Sequence, residues 1–382
     1  MYLDVHVVQS IPFANLNRDD LGSPKTVFYG GGTRTRVSSQ CWKRAVRLAM
    51  EERLGDPAMR TRRLASLVSK ALRDAGWQEE LAAFAGGQVV TAAKGKEPLK
   101  LEENGGTSVL LYLPRAAVGR LTSLCEEHRE ALVQAAAAAP AKGKAKAKAA
   151  TSVLPTEAVN EIVTSRNGII NLFGRMLAEL PGGRVDGAVQ VAHAFTTHNS
   201  EPEVDFFTAV DDVAELATDA GSGHMNAAEF SAGVFYRYAS INIAELHANL
   251  DGDAAQAREL VEAFCSALIE SLPGAKKNST APFTIPDLVY VAVRRDRPVS
   301  LASAFESPVR PALDGGCSEP SRRALADYTG QVYKLIGTDG LAHHAYAEVG
   351  VEKRAALGVR AESFRELVGA SVEAAFGEGK AS

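Results

Sequence analysis

Cysteine is scarce: Cys41, Cys125, Cys265 and Cys317 stand far apart in 382 residues and form no C-x-x-C pair. That spacing excludes a disulfide framework and a zinc knuckle, and it fits a chain kept in a reducing cytoplasm. No stretch of about eighteen apolar residues runs without a charge, so no membrane span is expected. A basic excess is also absent. Lys plus Arg number 42 against 46 Asp plus Glu, a net charge of −4, which removes the globally basic signature of many nucleic-acid binders. Disorder of the whole chain is excluded in turn by a hydrophobic content of 46%. The length allows roughly two or three compact units.

Catalytic signatures are missing as well. Gly30, Gly31 and Gly32 lead into Thr33 and Arg34, not into the Gly-Lys-Ser/Thr of a nucleotide-binding loop, and no G-x-G-x-x-G follows the first strand. His193 and His198 lack the glutamate of an H-E-x-x-H helix, His343 and His344 have only the distant Asp339 and Glu348, and no G-x-S-x-G elbow occurs. No catalytic residue, metal or cofactor is therefore assigned. At the amino terminus Asp4 stands where a secretory signal carries a basic residue, so no targeting segment is expected. Leu3, Val5 and Val7 alternate with Asp4 and His6 there, which predicts a half-buried strand.

A polar, turn-forming stretch from Asn15 to Gly32 follows, ending in the three glycines that let backbone approach something closely. Ser38 and Ser39 are N-cap candidates for a helix over 40–53, with Cys41, Ala45, Leu48 and Ala49 on one face. Residues 60–132 read as a helical insertion, with Leu64, Leu67, Val68, Ala71 and Leu72 at helical spacing and turns at Gly86 and Gly105. The Ala/Lys tract at 135–151 has no apolar residue able to build a core and reads as a solvated linker. Strands are expected within 185–195, 230–243 and 287–294, and a helix over 254–272, which together give an α+β class.

Charge is segregated along the chain. Residues 18–47 hold Arg18, Lys25, Arg34, Arg36, Lys43, Arg44 and Arg47 against Asp19 and Asp20, a local net of +5. A glycine loop, a helix start and basic side chains one turn apart suit a polyphosphate. Residues 199–229 carry eight acids, no Lys or Arg, and the pair Phe206 and Phe207. This much charge predicts a projecting loop or hairpin, whose rings either stack on bases or anchor the loop to its own core. Its acids could meet the basic surface of another copy, giving a head-to-tail filament.

Several segments, in order and spacing, resemble the type I-E CRISPR Cascade backbone subunit, the CasC family. They are Leu16-Asn17-Arg18-Asp19-Asp20, Arg36-Val37-Ser38-Ser39-Gln40 with Lys43-Arg44-Ala45, and Phe173-Gly174-Arg175-Met176. Further on come 185–188, Ala192 to His198, 205–212 and Gly233 to Ala239. The resemblance implies an RRM-like, ferredoxin-like palm over 1–57, 183–198 and 230–382, helical fingers over 58–182 and a thumb over 199–229. It implies CRISPR RNA as the ligand, held by Arg18, Lys25, Ser38, Gln40, Lys43, Arg44 and Arg47, with Arg34 and Arg36 in the adjoining glycine loop. Phe206, Phe207 and Thr208 match the thumb positions that kink the guide on a neighbouring copy, and Arg175 with Met176 match a second contact near the kink. The family thumb often begins with tryptophan, so Phe206 keeps stacking and loses an indole donor.

The resemblance further implies target DNA as a partner through the guide. Other copies of the chain, and the large, small, guide 5'-end and guide 3'-end Cascade subunits, complete the expected assembly. The implied role is non-enzymatic antiviral defence in the cytoplasm. An RNA-processing endoribonuclease using His193 or His198 as general base is the alternative, and an RNA-free structural filament a third.

Overall fold

A computed structural model describes residues 1–138, 152–209 and 224–377. In chain order its elements begin with β1 (Tyr2–Ala14), β2 (Thr26–Tyr29), β3 (Gly32–Val37) and α1 (Ser39–Leu54). Next come β4 (Ala58–Thr61), α2 (Leu64–Asp74), α3 (Glu79–Ala92), β5 (Leu111–Pro114), α4 (Ala117–Glu127), α5 (Arg129–Ala138), α6 (Thr156–Val163) and α7 (Gly168–Phe173). Then follow β6 (Val189–Val191), β7 (Ala194–Thr196), β8 (Glu203–Ala209), β9 (His224–Asn242), α8 (Ile243–Asn249) and α9 (Ala254–Glu270). The last are α10 (Lys277–Thr280), β10 (Leu288–Arg294), α11 (Ser318–Ile336), β11 (Leu341–Glu348), β12 (Val359–Arg360) and α12 (Phe364–Phe376).

The chain divides into two compact units. The first holds Met1–Met50, Val189–Ala244 and Ala257–Ser382; the second holds Glu51–Ala188 and Glu245–Gln256. At the centre of the first, β1 pairs antiparallel with β10 on one side and β9 on the other, and β9 carries β6 and β7 on its far side. With α1 following β1 and α9 following β9, the order β10-β1-β9-β7 is the βαββαβ arrangement of a ferredoxin-like sheet. β11 and β12 extend it beyond β10, and the β3–β2 hairpin extends it beyond β7.

The sheet is covered on both faces, which corrects the expectation of a half-buried first strand. Val8, Tyr236, Tyr290 and Tyr346 pack with Leu325 of α11, whereas Ile11, Phe235 and Val37 pack with Trp42 of α1. Neighbours such as Phe235 and Tyr236 thus face different layers, as the pleat demands. Asp4 and His6 are consequently buried although their polarity suggested solvent.

The second unit is mainly helical around Leu64, Val68 and Leu72 of α2, Val89 of α3, Leu121 of α4 and Val159 of α6. Gly86, expected at a turn, lies inside α3. A Cβ there would come within 2.4 Å of the Ala65 carbonyl oxygen, so glycine lets α2 and α3 approach. Gly105 does sit in a turn, at φ +76°. Most of the Ala/Lys tract lies outside the described residues.

Candidate nucleic-acid interface

The basic stretch of the first unit folds around the start of α1. Ser38 Oγ accepts the Cys41 N–H at 3.3 Å, the N-cap expected from its side chain. The Ser38 N–H in turn donates to Asn17 Oδ1 at 2.8 Å, and the Lys25 N–H to the Asn17 carbonyl at 3.0 Å. Asp19 Oδ1 accepts the Leu21 and Ser23 N–H groups, closing the intervening loop. Asn17 is thus the hinge pin that seats the 15–25 loop on the helix. The sequence contacts omitted it; its place beside Arg18 in the Leu16–Asp20 motif was the available signal.

α1 keeps Trp42, Val46 and Met50 fully inward, at i, i+4 and i+8; of the expected Cys41, Ala45, Leu48 and Ala49, Cys41 packs half-buried against the same cluster, Ala45 and Ala49 are half-buried and Leu48 is exposed. The Arg237 guanidinium lies over the Trp42 ring at 4.4 Å from its centroid and fixes that rotation. Gln40, Lys43 and Arg47, at i, i+3 and i+7, share another stripe of the helix. Gln40 and Arg44 are exposed, as is Arg18; Lys25, Lys43 and Arg47 are half-buried, and Ser38 is buried beneath the loop.

One predicted phosphate contact is internal, which corrects the sequence reading, and a second is partly engaged by the chain itself. Arg34 is 0% exposed, and its guanidinium donates to the carbonyls of Thr196 at 2.8 Å and of Phe305 and Glu306 at 3.1 Å. The glycine turn explains the burial. A Cβ on Gly30 would fall on the Glu306 carbonyl oxygen and one on Gly32 on the Asn199 amide, so the close approach serves the chain itself. Arg36, half-buried, donates from Nε to the Thr26 carbonyl and pairs through its guanidinium with Nδ1 of exposed His193 at 3.2 Å.

Arg175, in the second unit, is 3% exposed. Its donors reach the carbonyls of Gly183 (2.6 Å), Thr164 (2.6 Å), Ser165 (2.8 Å) and Tyr112 (3.3 Å). Burial, and after it the nearby Arg166 charge, holds its pKa down to about 10. Such a side chain organises backbone and leaves little surface for a ligand. Met176, next to it, is fully accessible.

The acidic segment forms the hairpin of β8 with the first half of β9, in register Phe206↔Ala227 and Phe207↔Asn226. Phe206 and Phe207 project from opposite faces of this ribbon, 73% and 49% exposed, and Thr208 is exposed too. The rings therefore do not anchor the hairpin. Phe230 does, stacked on Phe13 at 4.3 Å, while Asn15 Nδ2 donates to the Glu229 carbonyl at 2.8 Å. Glu201, Glu203 and Asp205 are exposed; Asp211, Asp212, Glu215 and Asp219 lie outside the described residues.

His198 has both ring nitrogens engaged: Nε2 accepts the Val234 N–H at 3.1 Å and Nδ1 faces the Asn199 carbonyl at 2.8 Å. Burial lowers its pKa, against that carbonyl bond and with the Arg34 charge adding to the fall. Among the described residues no group of three or more His, Cys, Asp and Glu could hold a metal ion, and no helix is long and apolar enough to cross a membrane.

Residues 3–370 match the family model of the CT1975-like protein. Among solved structures, one chain of a "CRISPR RNA-guided surveillance complex, pre-nicking" superposes with a TM-score of 0.90 and 47% identity, over 98% of this chain and 100% of that one. A chain of a second "CRISPR RNA-guided surveillance complex" gives 0.80 and 41%, with the same coverage of 98% and 100%. No curated protein matches.

Proposed function

This chain belongs to the CT1975-like protein family and is similar to chains of CRISPR RNA-guided surveillance complexes, and from that premise we propose that it is a backbone subunit that holds CRISPR RNA by its phosphates. The solvent-facing stripe of α1 carries the proposal. Gln40, Lys43, Arg44 and Arg47 lie beyond a capped helix start, and Asn17 holds the loop bearing Arg18 and Lys25 against that start. Cations and polar donors on a rigid helix bind a phosphodiester backbone whatever its bases.

The β8–β9 hairpin supplies the second part. Rings on both faces of a narrow ribbon can wedge between successive bases, so a thumb laid over a neighbour's guide would kink it and leave short runs of bases free to pair with target DNA. Copies would assemble head to tail along one guide, alongside the other subunits of a type I-E complex, in cytoplasmic antiviral defence. The role needs no chemistry from this chain. The engagement of both His198 nitrogens supports that reading over an endoribonuclease, which would have to rest on exposed His193, bonded to Arg36 through Nδ1.

Reversing two charges tests the stripe. Lys43→Glu with Arg47→Glu is expected to weaken RNA binding and to flatten the plot of log affinity against log salt by about 0.7 to 1 unit per lost phosphate contact. An unchanged slope would show that α1 does not touch phosphate. The hairpin has its own signature: Phe206→Ala is expected to weaken binding by roughly 1–3 kcal/mol with the salt slope intact, because stacking exchanges few ions.

A further inference from the structure

Arg175 resembles a guide contact by sequence yet is buried, which raises the question of what its four carbonyl bonds position. Two of them hold Thr164 and Ser165, the residues immediately before Arg166. Its backbone N–H and carbonyl are bonded to Val185, which fixes Met176 beside it. Arg175 therefore ties two exposed residues into the same part of the second unit, Arg166 through its guanidinium and Met176 through its backbone.

Arg166 lines a cavity of about 340 Å³ together with Arg120, Asn167, Asn171, Gln256 and Asp56. Its neighbours are already engaged. Arg120 pairs with Glu161 at 3.3 Å, and Asn167 accepts the Ile170 N–H and donates to the Asp56 carbonyl. Arg166 makes no hydrogen bond or ion pair among the described residues, and buried Arg175 near it has only neutral carbonyl partners. Asn171 adds an unpartnered polar group. Its Oδ1 is buried without a hydrogen bond while the residue is only 7% exposed. Its Nδ2 has no hydrogen-bond partner among the described residues, so this cavity-lining side chain already keeps an unengaged donor.

We propose that Arg166 is a phosphate contact of the second unit, with Arg175 as its positioning residue and a phosphodiester of the bound single strand as the ligand. Phosphodiester is favoured over a free carboxylate or a nucleobase because the unengaged groups are one guanidinium, permanently charged and forked, and one amide, donors that fit adjacent anionic oxygens. The inference rests on the RNA-binding reading and adds to it a contact outside the basic stretch at 18–47.

The test is the salt dependence of binding to an unrelated single-stranded RNA, measured for the unmodified chain, Arg166→Gln, Arg166→Glu and Arg166→Lys. Arg166→Gln is expected to weaken binding severalfold at low salt and to lower the slope by about 0.7. Arg166→Glu should lower it at least as far, while Arg166→Lys keeps the slope because it keeps the charge. Melting temperatures should stay together, since the side chain is exposed. A steep slope in the unmodified chain that persists unchanged in Arg166→Gln and Arg166→Glu overturns this assignment alone. A flat slope in the unmodified chain overturns the RNA-binding reading, and this one with it.

Discussion

Arg175→Met is expected to destabilise the protein by roughly 3–5 kcal/mol, lowering the melting temperature by roughly 10 °C. Methionine fills much of the volume but donates nothing, so the carbonyls of Gly183, Thr164, Ser165 and Tyr112 all lose the partner that satisfies them. Each buried acceptor left without a donor costs about 1–3 kcal/mol, reduced where water can enter. Arg34→Met should act alike in the first unit, through the carbonyls of Thr196, Phe305 and Glu306. Thermal melting distinguishes this from the surface role that the motif suggests. A variant that melts like the unmodified chain and binds RNA more weakly would make Arg175 a contact and not a brace.

The second large effect is a dependence on pH hidden in the unmodified chain. His6 is stacked between Tyr238 at 4.9 Å and Tyr290 at 5.4 Å, and it is bonded through Nδ1 to the Tyr236 hydroxyl. Burial, and then the Arg294 charge, lowers its pKa to about 3. The unfolded chain gains a proton near pH 6.5 that the folded chain refuses, so stability is lost as pH falls from about 6.5 toward 3, by roughly 1.4 kcal/mol per unit. Asp4 has the opposite effect. Burial raises its carboxyl to about 6, against bonds from the Val299 N–H and the Tyr238 hydroxyl and the Arg294 charge. The folded chain keeps a proton there that the unfolded chain has released, so stability is gained as pH falls from about 6 to 4.

Over that window the two slopes oppose each other. Asp4→Asn removes one of them, and relative to the unmodified chain the variant should lose roughly 3 kcal/mol between pH 6 and 4. Urea denaturation at pH 7, 6, 5 and 4 reads the difference. Parallel profiles for the two proteins would show that Asp4 carries no proton in the folded state.

Much of the fold was legible because it is local. The apolar runs around Val289 and Phe235 predicted β10 and β9, Ser38 predicted the start of α1, and the charge density around Glu203 and Asp205 predicted a hairpin outside the core. Partnership across the chain was not legible. Nothing near Arg34 tells that Phe305, 271 residues on, will close over it, so its charge read as a surface cation. Arg175 misled for the same reason, since one of its acceptors, Tyr112, lies 63 residues back. Asp4 and His6 read as solvent-facing because alternation reports a strand's faces and not what later elements lay upon them. Trp42 turned inward against the expected face of α1 because Arg237, from a distant strand, lies over its ring.

Seven basic residues between positions 18 and 47 do not make seven contacts, because Arg34 is spent inside the fold and Arg36 is partly engaged by Thr26 and His193. The exposed and half-buried remainder still lines one helix stripe and one pinned loop, which is enough for a sequence-neutral grip.

The most direct measurement is the affinity of the purified chain for single-stranded RNAs of unrelated sequence at two salt concentrations, read by fluorescence anisotropy. Phosphate recognition predicts near-equal affinities across sequences and a fall of about tenfold or more from 50 to 200 mM salt. Affinity that does not respond to salt, or that follows the base sequence, would contradict the account.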